Sequence, residues 1–389
     1  MKITRRCFVS ALFCLLATLP AFSQTPDQKF LVFVGTYTDK SDSKGIYALE
    51  FDAATGKLTP KGLAAESPNP SWVVLHPNGK WAYAANESGK QSSISAFSID
   101  AKSAKLTLLN KLPAAGEDPC HLSLDKTGKF LFAANYTSGN VVVFPILPDG
   151  KLGAATANVK DAGTLGPNKE RQEAPHAHWV KDLGGEVFVA DLGLDRVLVY
   201  RFYPASGKLG PMPTAGPMVP FPQEHVVLGP GTGPRHVAFS SSRRVMYVLG
   251  ELDSTVTRFV VTKEGAFQGA LQKIPMLPSG FSGRNDAAEI EIHPNSKFLY
   301  VSNRGRDSIV VYSIDQSWGG LTQVTDVPTG GKEPRHFAID PTGQFLLAEN
   351  QNSNSIVVFR IDPATGALSQ VFITEGVPSP VCLTFLRTP

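Results

Sequence analysis

Two histidines stand two residues apart in the segment APHAHWV, at His176 and His178. On a β-strand, residues i and i+2 point to the same side, so both imidazoles would face one target. A neutral imidazole with a pKa near ambient pH is suited to take a proton from water, which makes this pair a candidate general base. Two other interpretations stay open: the pair braces a loop, or it supplies the first ligands of a metal site.

The same layout of short motifs recurs along the chain and indicates a repeat architecture. Each unit has a Pro-x-His-like start, an apolar strand, a turn such as KTGK, a strand such as FLFAAN, a polar loop and a strand such as VVVF. Units of about 50 residues with several short strands are typical of a β-propeller. The seven motifs begin at Asn69, Asp118, Ala174, Gly233, Asp286, Glu333 and Ser379.

The two ends of the chain are predicted to complete one blade together. The last motif, SPVCLTF, supplies one inner strand and then stops, whereas residues 30–52 supply the strands that would come next. Joining them closes the ring and removes exposed sheet edges, which otherwise invite aggregation. We therefore predict an all-β fold, a seven-bladed β-propeller whose ring is closed by N- and C-terminal strands sharing one blade. Residues 30–389 would form this single domain, after a short linker at 24–29.

The repeat also predicts which side chains meet. In each unit the first strand begins at the Pro-x-His motif, and the second strand returns antiparallel after a tight turn, so it ends beside that beginning. All motif starts and all such strand ends therefore lie on one face of the ring, near its axis. The starts contribute Trp72, His121, His176, His178, Arg235, His236, Glu289, Arg335 and His336. The strand ends contribute Asn86, Glu87, Asn135, Asp191, Glu251, Asn303, Arg304, Glu349 and Asn350.

Five of these residues are candidate catalytic groups, and seven more are candidate substrate-binding groups. The catalytic candidates are His176, His178, Glu251, Arg235 and Arg304. The substrate-binding candidates are His121, Asn135, His236, Glu289, Asn303, Arg335 and Asn350. Histidines that recur at one blade position can instead tie one blade to the next, and loop Asn or Asp side chains can cap turns. The segment APHAH differs because it carries an extra residue relative to DPCH and GPRH, and such a departure indicates a local task.

These residues also carry a resemblance to a known family. The segments PHAHWV, GTGPRHVAF, GEL, SNRGRDSI and PRHFAIDPTGQFLLAEN, with the HPN-GK layout, resemble the lactonase seven-bladed β-propeller family over residues 30–387. That family contains lactonases of the 6-phosphogluconolactonase type and muconate lactonising enzymes. The resemblance implies a metal-free site without a cofactor on the top face of the propeller. It implies His176 or His178, Arg235, Glu251 and Arg304 as the site residues.

The chemistry expected of such a site is the hydrolysis of a small-molecule lactone. A histidine would activate water, Glu251 would orient it or carry its proton, and the arginines would bind the oxyanion or an anionic substituent of the substrate. Two alternatives stay open. One is a muconate-type cycloisomerase, and the other is a non-catalytic propeller that binds a ligand or a protein, since a fold does not dictate function.

Residues 1–23 have the features of an export signal. They combine three basic residues, Lys2, Arg5 and Arg6, with an apolar run too short to cross a bilayer and a small-residue cleavage site. The pair of arginines in TRRCFV also resembles a twin-arginine signal. We therefore expect a periplasmic or secreted protein that has no membrane segment once the signal is removed.

Charge and cysteine content exclude other classes. The segment 1–23 holds three of the 37 Lys and Arg residues and none of the 34 Asp and Glu residues, so 34 of each sign remain. A balanced chain without a basic patch predicts no nucleic-acid partner. The two remaining cysteines, Cys120 and Cys382, are too few for a disulfide framework. Nothing in the sequence predicts the oligomeric state.

Overall fold

The computed structural model describes residues 28–211, 225–262 and 267–387. The described residues contain no α-helix, only two short 3₁₀ helices at Gly89–Gln91 and Gln351–Ser353. The strands are β1 (Lys29–Thr36), β2 (Gly45–Asp52), β3 (Lys57–Glu66), β4 (Pro70–Leu75), β5 (Trp81–Asn86), β6 (Ser93–Asp100), β7 (Lys105–Pro113), β8 (Pro119–Leu124), β9 (Phe130–Asn135), β10 (Asn140–Pro145), β11 (Ala157–Lys160), β12 (Ala177–Asp182), β13 (Glu186–Asp191), β14 (Arg196–Tyr203), β15 (Lys208–Pro211), β16 (His225–Val227), β17 (Pro234–Phe239), β18 (Val245–Gly250), β19 (Thr255–Val261), β20 (Phe267–Pro275), β21 (Asp286–Ile292), β22 (Phe298–Arg304), β23 (Ser308–Ile314), β24 (Leu321–Pro328), β25 (Pro334–Ile339), β26 (Phe345–Asn350), β27 (Ser355–Ile361), β28 (Leu368–Glu375) and β29 (Pro380–Arg387).

These strands form seven antiparallel sheets, which are the blades. Six blades are four consecutive strands each, β4–β7, β8–β11, β12–β15, β17–β20, β21–β24 and β25–β28, and β16 pairs additionally with β14. The seventh blade has the order β29-β1-β2-β3. The predicted seven-bladed propeller with one blade built from both ends of the chain is therefore confirmed.

The ring closes through the innermost strands. Each of them contacts the innermost strand of the next blade, in the circular order β4, β8, β12, β17, β21, β25, β29 and back to β4. In the shared blade β29 runs antiparallel to β1, with Val32 opposite Phe385 and Val34 opposite Leu383. Pairing the last strand with the first covers the edge of β1 and completes the seventh blade.

The hydrophobic core is divided among the interfaces between blades. Seven clusters of buried side chains are present in the described part of the chain, and each joins two neighbouring blades. In one of them Phe132 of β9 packs with Val189 of β13, and both are fully buried. Burying one such side chain contributes roughly 2 kcal/mol. Central strands such as β9 and β13 are buried on both faces, so each blade packs against both of its neighbours.

The predicted export signal at 1–23 lies outside the described residues. Among the residues that are described, no helix has the length and apolar character needed to cross a membrane.

Candidate active site

Every innermost strand carries a β-bulge close to its first residue. In β17, Pro234 faces Gly250 and His236 faces Leu249, so Arg235 is an extra residue that has no paired residue on β18. The extra residues of the other bulges are Ser71, Cys120, His178, Arg335 and Val381, while the irregularity in β21 lies between Ala287 and Ile290. Bulges re-aim side chains and are common next to active sites. His178, Arg235 and Arg335 thus hold equivalent positions in three blades.

The carboxylate of Glu251 is the centre of an ion-pair cluster. Glu251 directly follows β18, and its side chain is only 4% exposed. Its Oε2 lies 3.0 Å from Nε of Arg235, and its Oε1 lies 3.2 Å from Nη2 of Arg304. The guanidinium of Arg235 also donates to the carbonyl oxygen of Ala288. The structure therefore brings together three of the predicted catalytic residues from three different strands or strand ends.

The charges of this cluster shift its pKa values. Burial alone would raise the pKa of Glu251, but Arg304, Arg235 and Arg171 lower it to about 2. Burial, together with the neighbouring Arg304 and Arg335, lowers the pKa of Arg235 to about 10. Glu251 is therefore a carboxylate at neutral pH. One carboxylate shared by three arginines leaves positive charge uncompensated, which favours an anionic group nearby.

Arg171 is a site residue that the sequence motifs did not select. It lies in the polar loop NKERQ before β12, and its Nη2 is 2.6 Å from Oε1 of Glu251. Its Nη1 is 3.5 Å from Asp286, and its side chain is 34% exposed, far more than the other two arginines. Arg171 therefore covers Glu251 on its solvent side. No strand pattern marks this loop, and only its charged composition preceding PHAH was available as a signal.

His176 is held in a structural network. β12 begins at Ala177, so His176 precedes the strand, and the expectation that the two histidines share one strand face is wrong. The ring of His176 stacks on Tyr136 with centroids 4.5 Å apart. Its Nδ1 is 3.0 Å from the carbonyl oxygen of Tyr136, and its Nε2 is 3.1 Å from the carboxylate of Glu173. Both ring nitrogens of His176 thus have partners.

His178 is the extra residue in the β12 bulge, and its ring is placed differently. Its Nδ1 is buried and has no hydrogen-bond partner among the described residues. The ring lies edge to face with Tyr136, at 5.5 Å, and with His236, at 5.3 Å. Burial, followed by Arg235 and His236, holds the pKa of His178 well below its usual range. His178 is therefore a neutral imidazole with a free nitrogen next to the arginine cluster.

The other three histidines near the axis connect neighbouring strands. Nδ1 of His121 accepts a hydrogen bond from the backbone N–H of Val180 in the next blade, at 3.3 Å. Nδ1 of His236 is 3.0 Å from Oε1 of Glu289, also in the next blade. The interpretation that such histidines tie blades together is thus confirmed for these two residues. His336 is hydrogen-bonded within its own blade, where Nδ1 lies 2.6 Å from Oε2 of Glu349, and its Nε2 lies 3.7 Å from Oε2 of Glu289 in the neighbouring blade.

The predicted asparagines lie against loops of their own blades. Asn303 accepts a hydrogen bond from Asn285 through its side-chain oxygen, at 2.8 Å, and Asn350 donates to the carbonyl oxygen of Thr329, at 3.3 Å. Asn135 faces the loop at Gly116, where a side chain on the glycine would collide with its amide. These contacts brace the loops that lead into the inner strands, and they do not support substrate binding by the three asparagines.

Arg335 extends the cationic surface towards a large hollow on the same face. Its guanidinium lies 5.3 Å from the ring centroid of Tyr37, whose hydroxyl donates to Glu87 at 2.8 Å. Tyr37 and Glu87 line a hollow of about 1370 Å³. Burial would lower the pKa of Arg335, but Tyr37, Glu87 and Glu251 raise it above its usual value. Arg335 therefore stays charged between the hollow and the Glu251 cluster.

No three His, Cys, Asp or Glu side chains within 28–211, 225–262 and 267–387 are arranged so that they could together hold a metal ion. Cys120 and Cys382 are both buried and free.

The fold and the site define a propeller enzyme whose ionisable groups converge at one end of the axis. The family model for the lactonase, 7-bladed β-propeller family matches residues 31–385, and the chain belongs to this family. The resemblance inferred from the sequence and the expectation of a lactonase-type enzyme are thereby confirmed at the level of the family.

Known relatives cover nearly the whole chain. A Bacillus subtilis 6-phosphogluconolactonase is 36% identical over 361 residues, which are 92% of this chain and 99% of the relative. A Formosa agariphila 6-phosphogluconolactonase is 34% identical over 79% of this chain and 85% of the relative. The solved structure of the Pseudomonas aeruginosa periplasmic gluconolactonase is 32% identical in sequence and superimposes with a TM-score of 0.85, covering 93% of this chain and all of that one.

Proposed function

We propose that this protein hydrolyses the lactone of a sugar acid in a reaction resembling that of 6-phosphogluconolactonase. The observation that carries the proposal is a neutral imidazole at His178, whose Nδ1 has no partner among the described residues, close to the arginines that share Glu251. Ester hydrolysis needs both parts, because water must lose a proton and the carbonyl oxygen must gain negative charge.

The imidazole of His178 acts as the base. It takes a proton from water while the oxygen of that water attacks the carbonyl carbon of the lactone. His176 is less suited to this role because Tyr136 and Glu173 occupy both of its ring nitrogens. Its stacked position on Tyr136 instead fixes the ring that His178 contacts. The proton then returns to the ring oxygen when the C–O bond breaks, which yields the hydroxy acid.

The arginines stabilise the oxyanion. Arg235 and Arg304 are buried and held by Glu251, so their donors are already oriented before charge develops in the transition state. Such preorganised donors are each worth about 3 kcal/mol in other hydrolases. Glu251 is the anchor in this arrangement: with a pKa of about 2 it stays ionised and is unsuited to carry a proton at neutral pH.

The surplus positive charge favours a substrate with an anionic or strongly electron-rich substituent. Arg171 is partly exposed over Glu251, so its guanidinium can reach a group that extends away from the lactone ring. The Bacillus subtilis relative is named for a phosphorylated lactone and the Pseudomonas aeruginosa neighbour for a periplasmic gluconolactone activity. We propose export by the segment 1–23 and therefore a sugar lactone met outside the cytoplasm.

The test is an assay of lactone opening by purified protein. Glucono-δ-lactone and its 6-phosphate are supplied separately, with and without a chelator, and the spontaneous rate is subtracted. We expect faster opening than in buffer, at a rate that the chelator does not change. The matched control is His178→Ala, which keeps the blades and removes the base. Failure to open any lactone would instead support a binding propeller, and loss of rate with chelator would support a metal site.

A further inference from the structure

A series of buried imidazole and carboxyl groups continues around the axis from His236, whose ring contacts His178. Nδ1 of His236 lies 3.0 Å from Oε1 of Glu289, and Oε2 of Glu289 lies 3.7 Å from Nε2 of His336. Nδ1 of His336 lies 2.6 Å from Oε2 of Glu349. Each of these four residues is at most 7% exposed, and they come from three different blades. The hydrolytic steps described above use none of them.

Their hydrogen bonds assign the protons. Oε1 of Glu289 also accepts the backbone N–H of Ile290 at 3.0 Å, and when Glu289 is ionised Nδ1 of His236 carries the hydrogen of the bond between them. Nε2 of His236 is then a bare acceptor, and it is a buried atom that lacks a partner among the described residues. A carboxylate behind an imidazole fixes its tautomer in this way in hydrolytic triads.

The free nitrogen of His236 has a matching neighbour. His178 has its own unpartnered buried nitrogen, Nδ1, and the two ring centroids are 5.3 Å apart. Neither nitrogen makes a hydrogen bond within the described part of the chain, and the relay requires a rotation of one ring about its χ2 angle to turn the two nitrogens toward each other. After that rotation an N–H on Nδ1 of His178 would donate to the lone pair on Nε2 of His236, and the new hydrogen bond would satisfy two buried atoms.

The electrostatics explain why His178 needs such a neighbour. A protonated His178 would face Arg235, Arg335 and Arg304, which together with burial lower its pKa. No carboxylate lies within ion-pair distance of His178 in the described part of the chain. Glu289 contacts the ring of His236, which in turn contacts the ring of His178. Burial raises the pKa of Glu289, which makes this carboxylate ready to take a proton.

We propose that His236 and Glu289 form a proton relay behind His178, and this inference rests on the proposed function. As Nε2 of His178 takes the proton of the attacking water, the Nδ1 proton of His178 passes to Nε2 of His236. The Nδ1 proton of His236 then passes to Oε1 of Glu289. The same transfers run in reverse when the alkoxide leaves, so no proton is gained or lost by the relay. His236 and Glu289 are positioning residues, since they act on the substrate through His178.

Other titratable groups also face this relay. His336 of the adjacent blade lies 3.7 Å from Glu289 and is itself bonded to Glu349, and His121 packs against the ring of His236 at 5.4 Å. Glu289 and His336 also line an axial cavity of about 380 Å³ together with Lys181 and Glu291. Glu291 is two residues from Glu289 on the same strand, and it accepts the backbone N–H of Ile339 at 3.0 Å. This makes Glu291 a matched control: the same residue type on the same strand, without contact to His236.

The experiment compares Glu289→Gln with Glu291→Gln. The relay predicts that Glu289→Gln lowers kcat at least tenfold with KM changed less than twofold, whereas Glu291→Gln leaves both within twofold. It also predicts a solvent deuterium effect on kcat that shrinks in His236→Asn. Unchanged kcat in Glu289→Gln overturns the relay, and so do equal losses in the two glutamine variants, because equal losses indicate a structural effect.

A second measurement does not depend on turnover. Nuclear magnetic resonance of protein labelled with ¹⁵N-histidine reports which ring nitrogen carries the hydrogen. We expect the Nδ1–H tautomer for His236, and we expect Glu289→Gln but not Glu291→Gln to move the ring signals of His178. An Nε2–H tautomer for His236 would refute the relay. If wild-type protein opens no lactone, the proposed function fails, and the tautomer and the His178 signals alone decide the relay.

Discussion

Glu251 and Arg235 form an ion pair of 3.0 Å in which each side chain is at most 4% exposed. Arg235 is the extra residue of a strand bulge, and Glu251 follows the strand paired with it. The pair therefore exists only because the bulge turns one residue out of the regular alternation. Arg304 joins it from the next blade, so the same carboxylate also links two blades.

Replacing the central carboxylate should damage both activity and stability. In Glu251→Gln, buried arginines lose their counter-charge, and breaking such pairs costs about 3–5 kcal/mol. We expect kcat/KM to fall at least 100-fold and the thermal midpoint to drop. The control is Glu50→Gln, because Glu50 pairs with Lys29 and Lys61 at the surface, where such contacts contribute about 0–1 kcal/mol. Glu251→Gln with wild-type rate and stability would show that this carboxylate is dispensable.

Replacing each of the two histidines of PHAH should have a different effect, one mainly on kcat and the other mainly on stability. His178→Ala removes the base, and we expect kcat to fall by about 10²- to 10⁴-fold with the circular dichroism spectrum unchanged. His176→Ala loses the bonds to Tyr136 and Glu173, so a smaller fall in kcat and a loss of about 1–3 kcal/mol in the free energy of unfolding are expected. The double variant should be inactive and folded. The reverse order of effects on kcat would assign the base to His176.

Arg171 should contribute to substrate binding. Its side chain is partly exposed over Glu251, so Arg171→Ala is expected to raise KM for a phosphorylated lactone about tenfold or more, in line with the loss of a charged hydrogen bond. Arg284→Ala is the control, since Arg284 bonds Asp286 in the same region but is 79% exposed. Steady-state kinetics on both substrates measures the effect. An equal rise of KM in the two variants would show that only the total positive charge of the region matters, and not a specific contact of Arg171 with the substrate.

On the acidic side of the pH profile, kcat/KM should fall only at a pH below the usual pKa of histidine. Burial, Arg235 and His236 hold the pKa of His178 well below 6.5, and only the neutral ring accepts a proton. Glu251, with a pKa of about 2, stays ionised across the assay range. We therefore expect kcat/KM to stay level from pH 7 down to pH 6 and to fall only at lower pH. A midpoint at 6.5 or above would contradict His178 as the base.

Glu349 should make stability depend on pH with a defined sign. Burial, followed by Glu289, holds the pKa of Glu349 well above 4.5, so the folded chain keeps a proton that the unfolded chain releases. Stability from this group is thus present at low pH and is lost as pH rises through the folded pKa. Glu349→Gln mimics the protonated form and should flatten that slope, as measured by urea unfolding at several pH values. An unchanged slope would mean that Glu349 is ionised in the fold.

Most of the fold was predictable because its signals are local. Repeated strand-turn-strand patterns show seven units, and the incomplete motif at Ser379 with the strands from Phe30 indicates the shared blade. The convergence of Arg235, Glu251 and Arg304 was predictable for a related reason, since antiparallel pairing places strand starts beside strand ends. Arg171 was not predicted, because it lies on a loop and no periodic pattern in the sequence specifies where that loop runs.

The sequence by itself determined the number of blades, their closure and the end of the axis at which ionisable groups gather, because β-periodicity and motif spacing are properties of the chain. The tertiary structure alone decided which groups touch. A bulge of one residue in β12 packs the ring of His178 against His236, while His176 stacks on Tyr136 before the strand begins and Asn135 lies against a loop of its own blade. Such contacts depend on the direction of each side chain and on the packing between blades. A shift of one residue in strand register turns each side chain to the other face of the sheet and so changes both.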